Sequence, residues 1–213
     1  MGAGHDHGAE VFDGMSGAYR RALWAVIAIN AGMFVVEIWA GALAGSQALK
    51  ADALDFLGDS LTYAVSLAVL GMPLARRATV ALAKGVSLLL MSLWVLGSTL
   101  WRVVVQEVPA GEIMGVIGLM ALCANLASVV ILLRFREGDA NVRSVWLCSR
   151  NDAIGNVAVM VAALLVIALQ AAWPDLVVAF LMAGLFMRSA QQIIRQAWHE
   201  RQHALSHAGH AHH

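Results

Sequence analysis

Long apolar runs separated by short polar segments dominate this sequence. Six such runs can be read, and each is at least as long as the ~20 residues that an α-helix needs to cross a bilayer. They cover residues 22–44, 47–73, 81–105, 113–133, 144–172 and 174–198. The pattern predicts an all-α, polytopic membrane protein with six transmembrane helices.

The two ends of the apolar pattern need separate interpretation. The first 20 residues are polar and have no basic segment before the first run, so we read that run as a genuine helix and not as a cleaved signal peptide. In the sixth run, Arg188 interrupts the apolar residues, which fits either an amphipathic helix or an arginine that snorkels to the surface. The predicted organisation is a His-containing tail (1–19), a transmembrane domain (20–198) and a His-rich tail (199–213).

Composition agrees with a membrane protein and excludes several other classes. Hydrophobic residues make up 60% of the chain and charged residues 13%, against about 25% charged in soluble domains. The formal net charge is zero, which argues against a nucleic-acid partner. Cys123 and Cys148 both lie in apolar runs, so they do not form a secreted disulfide framework.

The distribution of basic residues predicts the orientation in the membrane. Two basic residues, Lys50 and Arg102, lie near one side, and ten lie on the other. The ten are Arg20, Arg21, Arg76, Arg77, Lys84, Arg134, Arg136, Arg143, Arg195 and Arg201. Because basic loops stay in the cytoplasm, both termini are expected to be cytoplasmic in a multi-pass cell (inner) membrane protein.

Ionisable residues inside the runs are the candidate functional groups, since each costs at least ~2.5–3.5 kcal/mol to insert. In the second run, Asp52, Asp55 and Asp59 are spaced three and four apart, so they share one face of a helix. In the fifth run, Cys148 and Asp152 are four residues apart. Clustered anions in hydrocarbon must be protonated, paired with cations or bound to a metal.

Two such i, i+4 pairs can supply four ligands to one tetrahedral ion. Asp55 and Asp59 would bind from one helix, and Cys148 and Asp152 from another. A thiolate with carboxylates favours Zn²⁺ or Cd²⁺ over Mg²⁺ and Ca²⁺. Counted from the cytoplasmic ends of the predicted spans, Asp59 is about 15 residues deep and Asp152 about 9. That difference is an offset of roughly 9 Å that helix tilt would have to absorb.

Other interpretations stay open for several of these residues. Asp52 and Glu37 can be structural partners of a cation such as Lys50 or Arg150, or they can relay protons. Cys148 can be a small packing residue. The histidines of the two ends can collect metal or belong to solvated tails. They are His5, His7, His199, His203, His207, His210, His212 and His213.

The order of these residues resembles the cation diffusion facilitator family of divalent metal transporters. The similarity begins at Asn30 and Glu37, continues through the ADA at 51–53 to the Asp55/Asp59 pair, and resumes at the run that starts with Asp152. Two departures stand out: Cys148 occupies a position usually filled by His or Asp, and the chain is expected to be a variant without the family's cytoplasmic C-terminal domain.

The resemblance implies a secondary transporter and not an enzyme, with no organic cofactor. It would export a divalent cation in exchange for protons by alternating access, and it would form a homodimer, here through transmembrane helices. Two other classes compete. A metal sensor or storage protein would have the same ligands without transport. An intramembrane aspartyl protease is disfavoured, because Phe56 stands where that class needs a glycine.

Overall fold

Six long α-helices make up nearly all of the computed structural model, which describes residues 17–68, 74–105, 107–135 and 140–210. Within these ranges the structure contains no β-strand. The helices are α1 (Gly17–Ala44), α2 (Gln47–Ala68), α3 (Leu74–Val105), α4 (Gly111–Leu132), α5 (Ala140–Leu169) and α6 (Trp173–His210), with a 3₁₀ turn at Leu133–Phe135. The predicted all-α architecture with six helices is therefore confirmed.

The helices match the six apolar runs but extend beyond several of them, and α1 and α3 begin five and seven residues before the predicted starts. Helix α5 begins at Ala140, four residues before the predicted start, and α6 continues past residue 198 to His210. Neither extension is apolar, so hydropathy alone could not include it. The first 16 residues of the predicted N-terminal tail lie outside the described residues.

Five of the helices in the described part of the chain are long and apolar enough to cross a membrane. The exception is α2, which contains Lys50, Asp52, Asp55 and Asp59 in 22 residues. It lies among the other helices, where it contacts α1, α3, α5 and α6. A helix with this many ionisable groups is tolerated at membrane depth when they face the interior of the bundle.

Two groups of helices can be distinguished by their packing. Helices α1, α2, α4 and α5 form a four-helix group, in which α1 packs on α2 and on α4, and α4 packs on α5. Helices α3 and α6 form a pair, the α3–α6 pair, with the most extensive contact of any two helices described. Helix α2 joins the two groups, and its Leu54 is buried against Val95 of α3 and Ala183 of α6.

The turns α1–α2, α3–α4 and α5–α6 meet at one end of the bundle, which we call the distal end. Ala110, before α4, donates its backbone N–H to the carbonyl of Ala44 at 2.9 Å. Asp175 of α6 accepts hydrogen bonds from Ser46 Oγ (2.6 Å), Gln47 N (2.8 Å) and Ala48 N (3.0 Å). The first turn of α2 is thus capped by a carboxylate from another helix, which satisfies donors that every helix start leaves open.

Candidate functional site

A cavity of about 680 Å³ lies between α2, α3, α5 and α6. Three carboxylates line it, Asp55 and Asp59 from α2 and Asp152 from α5, together with the ammonium of Lys84 from α3. The rest of the wall that the structure describes is mostly apolar, with Leu88, Met182 and Phe186 among its side chains. The cavity therefore places a few charged groups in a low-dielectric surrounding between the four-helix group and the α3–α6 pair.

Asp59 of α2 and Asp152 of α5 line the same cavity and interact electrostatically across it. Two carboxylates in one low-dielectric cavity repel each other unless a proton or a cation neutralises them. Asp59 also accepts a hydrogen bond of 2.5 Å from the hydroxyl of Tyr63, one turn further along α2. Helices α2 and α5 thus bring two interacting acids into one cavity.

The depth offset of roughly 9 Å counted from the predicted spans does not keep the two acids apart. Asp59 of α2 and Asp152 of α5 line one cavity, so they lie at a comparable depth in the bundle.

The predicted set of four ligands is brought together only in part. Asp55 lines the same cavity as Asp59 and Asp152 and interacts electrostatically with both. Among the described residues, however, no three His, Cys, Asp or Glu side chains are close enough to hold a metal ion. Cys148 belongs to α5, but its side chain lies outside the described residues. The tetrahedral site of Asp55, Asp59, Cys148 and Asp152 stays a prediction.

Glu37 and Asp52 form a second pair of acids that does not line the cavity. Both are buried, with 0% and 1% of their surfaces exposed. The two carboxyl groups interact electrostatically, but among the described residues neither oxygen of Glu37 nor Oδ2 of Asp52 has a hydrogen-bond partner. Lys50, which the sequence offered as a partner for Asp52, instead lies over the ring of Trp94, with Nζ 5.7 Å from its centroid. Arg150 lies outside the described side chains.

Sequence reasoning missed the roles of two charged residues. Lys84 was read only as a marker of topology, and the structure places it in the cavity, where its ammonium donates a hydrogen bond to Thr62. Asp175 has no partner within hydrogen-bonding distance along the sequence, and the structure makes it the cap of α2. Neither role has a local sequence signal, because each depends on a contact with a distant helix.

The histidine-rich ends are only partly described. His199 is exposed on α6, and the same helix continues through His203, His207 and His210, whose side chains lie outside the described residues. His5, His7, His212 and His213 lie outside them altogether.

Comparison with known proteins places the whole bundle in one family. Residues 23–200 match the cation efflux transmembrane domain. The chain is 28% identical over 196 residues to the zinc transporter ZitB of Escherichia coli, covering 85% of this chain and 62% of the relative. It is 25% identical over 215 residues to a cadmium, cobalt and zinc/H(+)-K(+) antiporter of Bacillus velezensis, covering 93% and 66%.

A third relative is the metal cation efflux system protein CzcD of Cupriavidus metallidurans, 27% identical over 195 residues, with 85% of this chain and 59% of the relative covered. The chain spans about three fifths to two thirds of the length of these relatives. The match to the family domain covers most of the chain, and the six-helix architecture agrees with it. This multi-pass membrane protein belongs to the cation efflux, or cation diffusion facilitator, family.

Proposed function

We propose that this protein exports a divalent metal ion, Zn²⁺ and also Cd²⁺, from the cytoplasm in exchange for protons. The observation that carries the proposal is the cavity that Asp55 and Asp59 of α2 line together with Asp152 of α5. The relatives support it, since they are named as zinc transporters and as a cadmium, cobalt and zinc antiporter.

The cargo would be bound by Asp55, Asp59, Cys148 and Asp152. These are two carboxylates from α2 with a thiolate and a carboxylate from α5, a donor set that suits a tetrahedral Zn²⁺ or Cd²⁺ ion. Each ligand must be deprotonated to bind, so metal affinity falls as pH falls. Cys148 is the soft ligand of the set and favours Cd²⁺ relative to a site made only of oxygen donors.

Exchange follows from the chemistry of the acid pair. When the site is empty, protons neutralise part of the ligand set; when the ion enters from the cytoplasm, these protons leave and the deprotonated ligands bind the metal. On the other side of the membrane the same number of protons returns to the ligands and the ion departs. The α3–α6 pair and the four-helix group, with the cavity between them, are the natural units for alternating access.

The test is metal uptake into sealed proteoliposomes under an imposed pH gradient. We expect Zn²⁺ flux with the wild type that rises with the gradient, and at least tenfold less flux with Asp59→Asn, which keeps the shape of the side chain but removes its charge. Glu112→Gln is the matched control, because Glu112 is an exposed carboxylate in the first turn of α4. It should transport like the wild type.

Two results would overturn the proposal. Wild-type protein that binds Zn²⁺ but gives no flux at any gradient would be a metal sensor or storage protein. Full transport by Asp59→Asn would exclude the acid pair from the pathway.

The organisation that goes with this function is also proposed. Residues 20–198 would form the transport domain, with both termini in the cytoplasm of the inner membrane, and the histidines of the flanking segments would collect metal beside the cavity. The protein would act as a homodimer through its transmembrane helices, with α3 as the contact. Apolar residues on α3 such as Leu90 and Trp101 are exposed in the single chain. Cross-linking in native membranes tests the dimer, and monomers alone would contradict it.

A further inference from the structure

The cavity contains a basic residue that a cation pathway would be expected to avoid. Lys84 lines it together with Asp55, Asp59 and Asp152, and its side chain is partly buried. A positive charge at this position repels an entering metal ion, and repulsion in a low-dielectric cavity is stronger than at a surface. The presence of Lys84 in the cavity therefore has to be explained by what its charge does to the bound ion.

The position of the Lys84 ammonium is fixed by α2. Its Nζ donates a hydrogen bond to Oγ1 of Thr62, and that hydroxyl in turn donates to the carbonyl of Gly58 at 2.6 Å. Thr62 lies three residues after Asp59 and so shares its face of the helix. The anchor keeps the ammonium in the same cavity as Asp59, on which its charge acts electrostatically.

Lys84 reduces the negative charge that surrounds a bound ion. The three carboxylates of the described lining and the Cys148 thiolate of the proposed ligand set carry four negative charges when ionised, and the ammonium of Lys84 lowers this to three. A bound divalent cation then leaves one negative charge with Lys84 present and two without it. Without Lys84 the ion would therefore be held more tightly and would leave more slowly.

We propose that Lys84 is a fixed internal counter-cation of the transport site, held by Thr62, which weakens metal binding enough for the ion to be released. It is a positioning and affinity-setting residue and not a metal ligand. This inference rests on the proposed function, since it assumes that the carboxylates of the cavity bind the cargo.

The test measures Zn²⁺ binding to the purified full chain by competition with a chromogenic chelator. Lys84→Met removes the charge and keeps most of the volume of the side chain, and we expect its Kd for Zn²⁺ to fall by about tenfold or more. The dissociation rate should fall as well, and maximal transport in proteoliposomes should drop even though binding is tighter. Lys84→Arg keeps the charge, so its Kd for Zn²⁺ should stay within about twofold of the wild-type value. A purely structural role for the lysine would not predict this result.

Arg188→Met is the matched control. It removes one positive charge from α6, but Arg188 is exposed and does not line the cavity. Its Kd for Zn²⁺ should equal that of the wild type. Thr62→Val keeps Lys84 and removes its anchor, so it should shift the Kd in the same direction as Lys84→Met by a smaller factor.

The outcomes separate this inference from the proposed function. If the wild type does not bind Zn²⁺, the proposed function is wrong. If the wild type binds and Lys84→Met binds equally or more weakly, only the role of Lys84 is wrong. If Lys84→Met does not fold, as judged by size-exclusion chromatography, Lys84→Gln and Thr62→Val answer the same question. An unchanged Kd in both would refute it.

Discussion

The carboxylate of Asp175 joins the starts of α6 and α2, and replacing it tests how much this distal contact stabilises the fold. In Asp175→Ala, the backbone N–H groups of Gln47 and Ala48 lose their acceptor, as does the hydroxyl of Ser46. All three residues are at most 1% exposed, so water does not replace the lost partner. The hydroxyl proton of Ser46 can rotate away from the lost acceptor, which a backbone N–H cannot do, and we therefore count only the two backbone donors.

The expected destabilisation follows from those two groups. A buried donor left without a partner costs about 1–3 kcal/mol, so the free energy of unfolding should fall by about 4 kcal/mol, within a range of about 2–6 kcal/mol. For a chain of this size each kcal/mol corresponds to roughly 2–4 °C in Tm. The central expectation is a decrease of roughly 8–16 °C. Asp175→Asn keeps one acceptor oxygen and should lose about half as much.

The assay is thermal unfolding in detergent, followed by tryptophan fluorescence and by size-exclusion chromatography. Glu107→Ala is the control at the same end of the bundle, because Glu107 pairs with Arg102 at 2.6 Å but is 66% exposed. An exposed ion pair contributes at most about 1 kcal/mol, so this variant should lose no more than about 4 °C. If Asp175→Ala lost no more Tm than Glu107→Ala, the capping argument would be refuted.

Three further variants test other parts of the structure. Cys148→Ser should weaken Cd²⁺ binding more than Zn²⁺ binding, because it removes the soft ligand. If the wild type and Cys148→Ser bind Cd²⁺ with equal affinity, Cys148 is a packing residue. Asp52→Asn should keep Zn²⁺ affinity, since Asp52 interacts with Glu37 and does not line the cavity. If only the dependence of transport on the pH gradient is lost, Asp52 is a proton relay. A loss of Zn²⁺ binding would contradict the assignment. Gly58→Ala should lower Tm, because its Cβ would lie 2.7 Å from Cζ of Phe186. The double variant with Phe186→Leu should recover part of the lost Tm. No recovery would show that the clash with Phe186 is not the cause.

The sequence predicted the elements well where its signal is local. Apolar runs located all six helices, and the i, i+4 spacing put Asp55 and Asp59 on one face of α2, where the structure has them lining one cavity. The spacing of four from Cys148 to Asp152 directed attention to α5 for the same reason. These are properties of a single helix and need no knowledge of how helices pack.

The sequence could not predict the pairings between helices. The sequence offered Glu37 only a cation as a structural partner, whereas the two-residue turn between α1 and α2 places it at nearly the depth of Asp52. Lys84 was interpreted by the general rule that basic residues mark cytoplasmic ends, and the rule says nothing about which way one lysine on a long helix points. The contact of Asp175 with Ser46 joins residues 129 apart in the chain, and only the packing of α6 against α2 creates it.

Because the hydrogen bonds of Asp175 hold one end of α6, the helix can tilt about that end. Ile193, which lines the cavity, lies 18 residues beyond Asp175 on the same helix, a distance of about 27 Å along its axis. A tilt of α6 by about 10° around the anchored end would move Ile193 by about 5 Å, while the hydrogen bonds at Asp175 would hardly lengthen. Small rotations that leave the distal end closed are therefore enough to change the width of the cavity by more than the diameter of a water molecule.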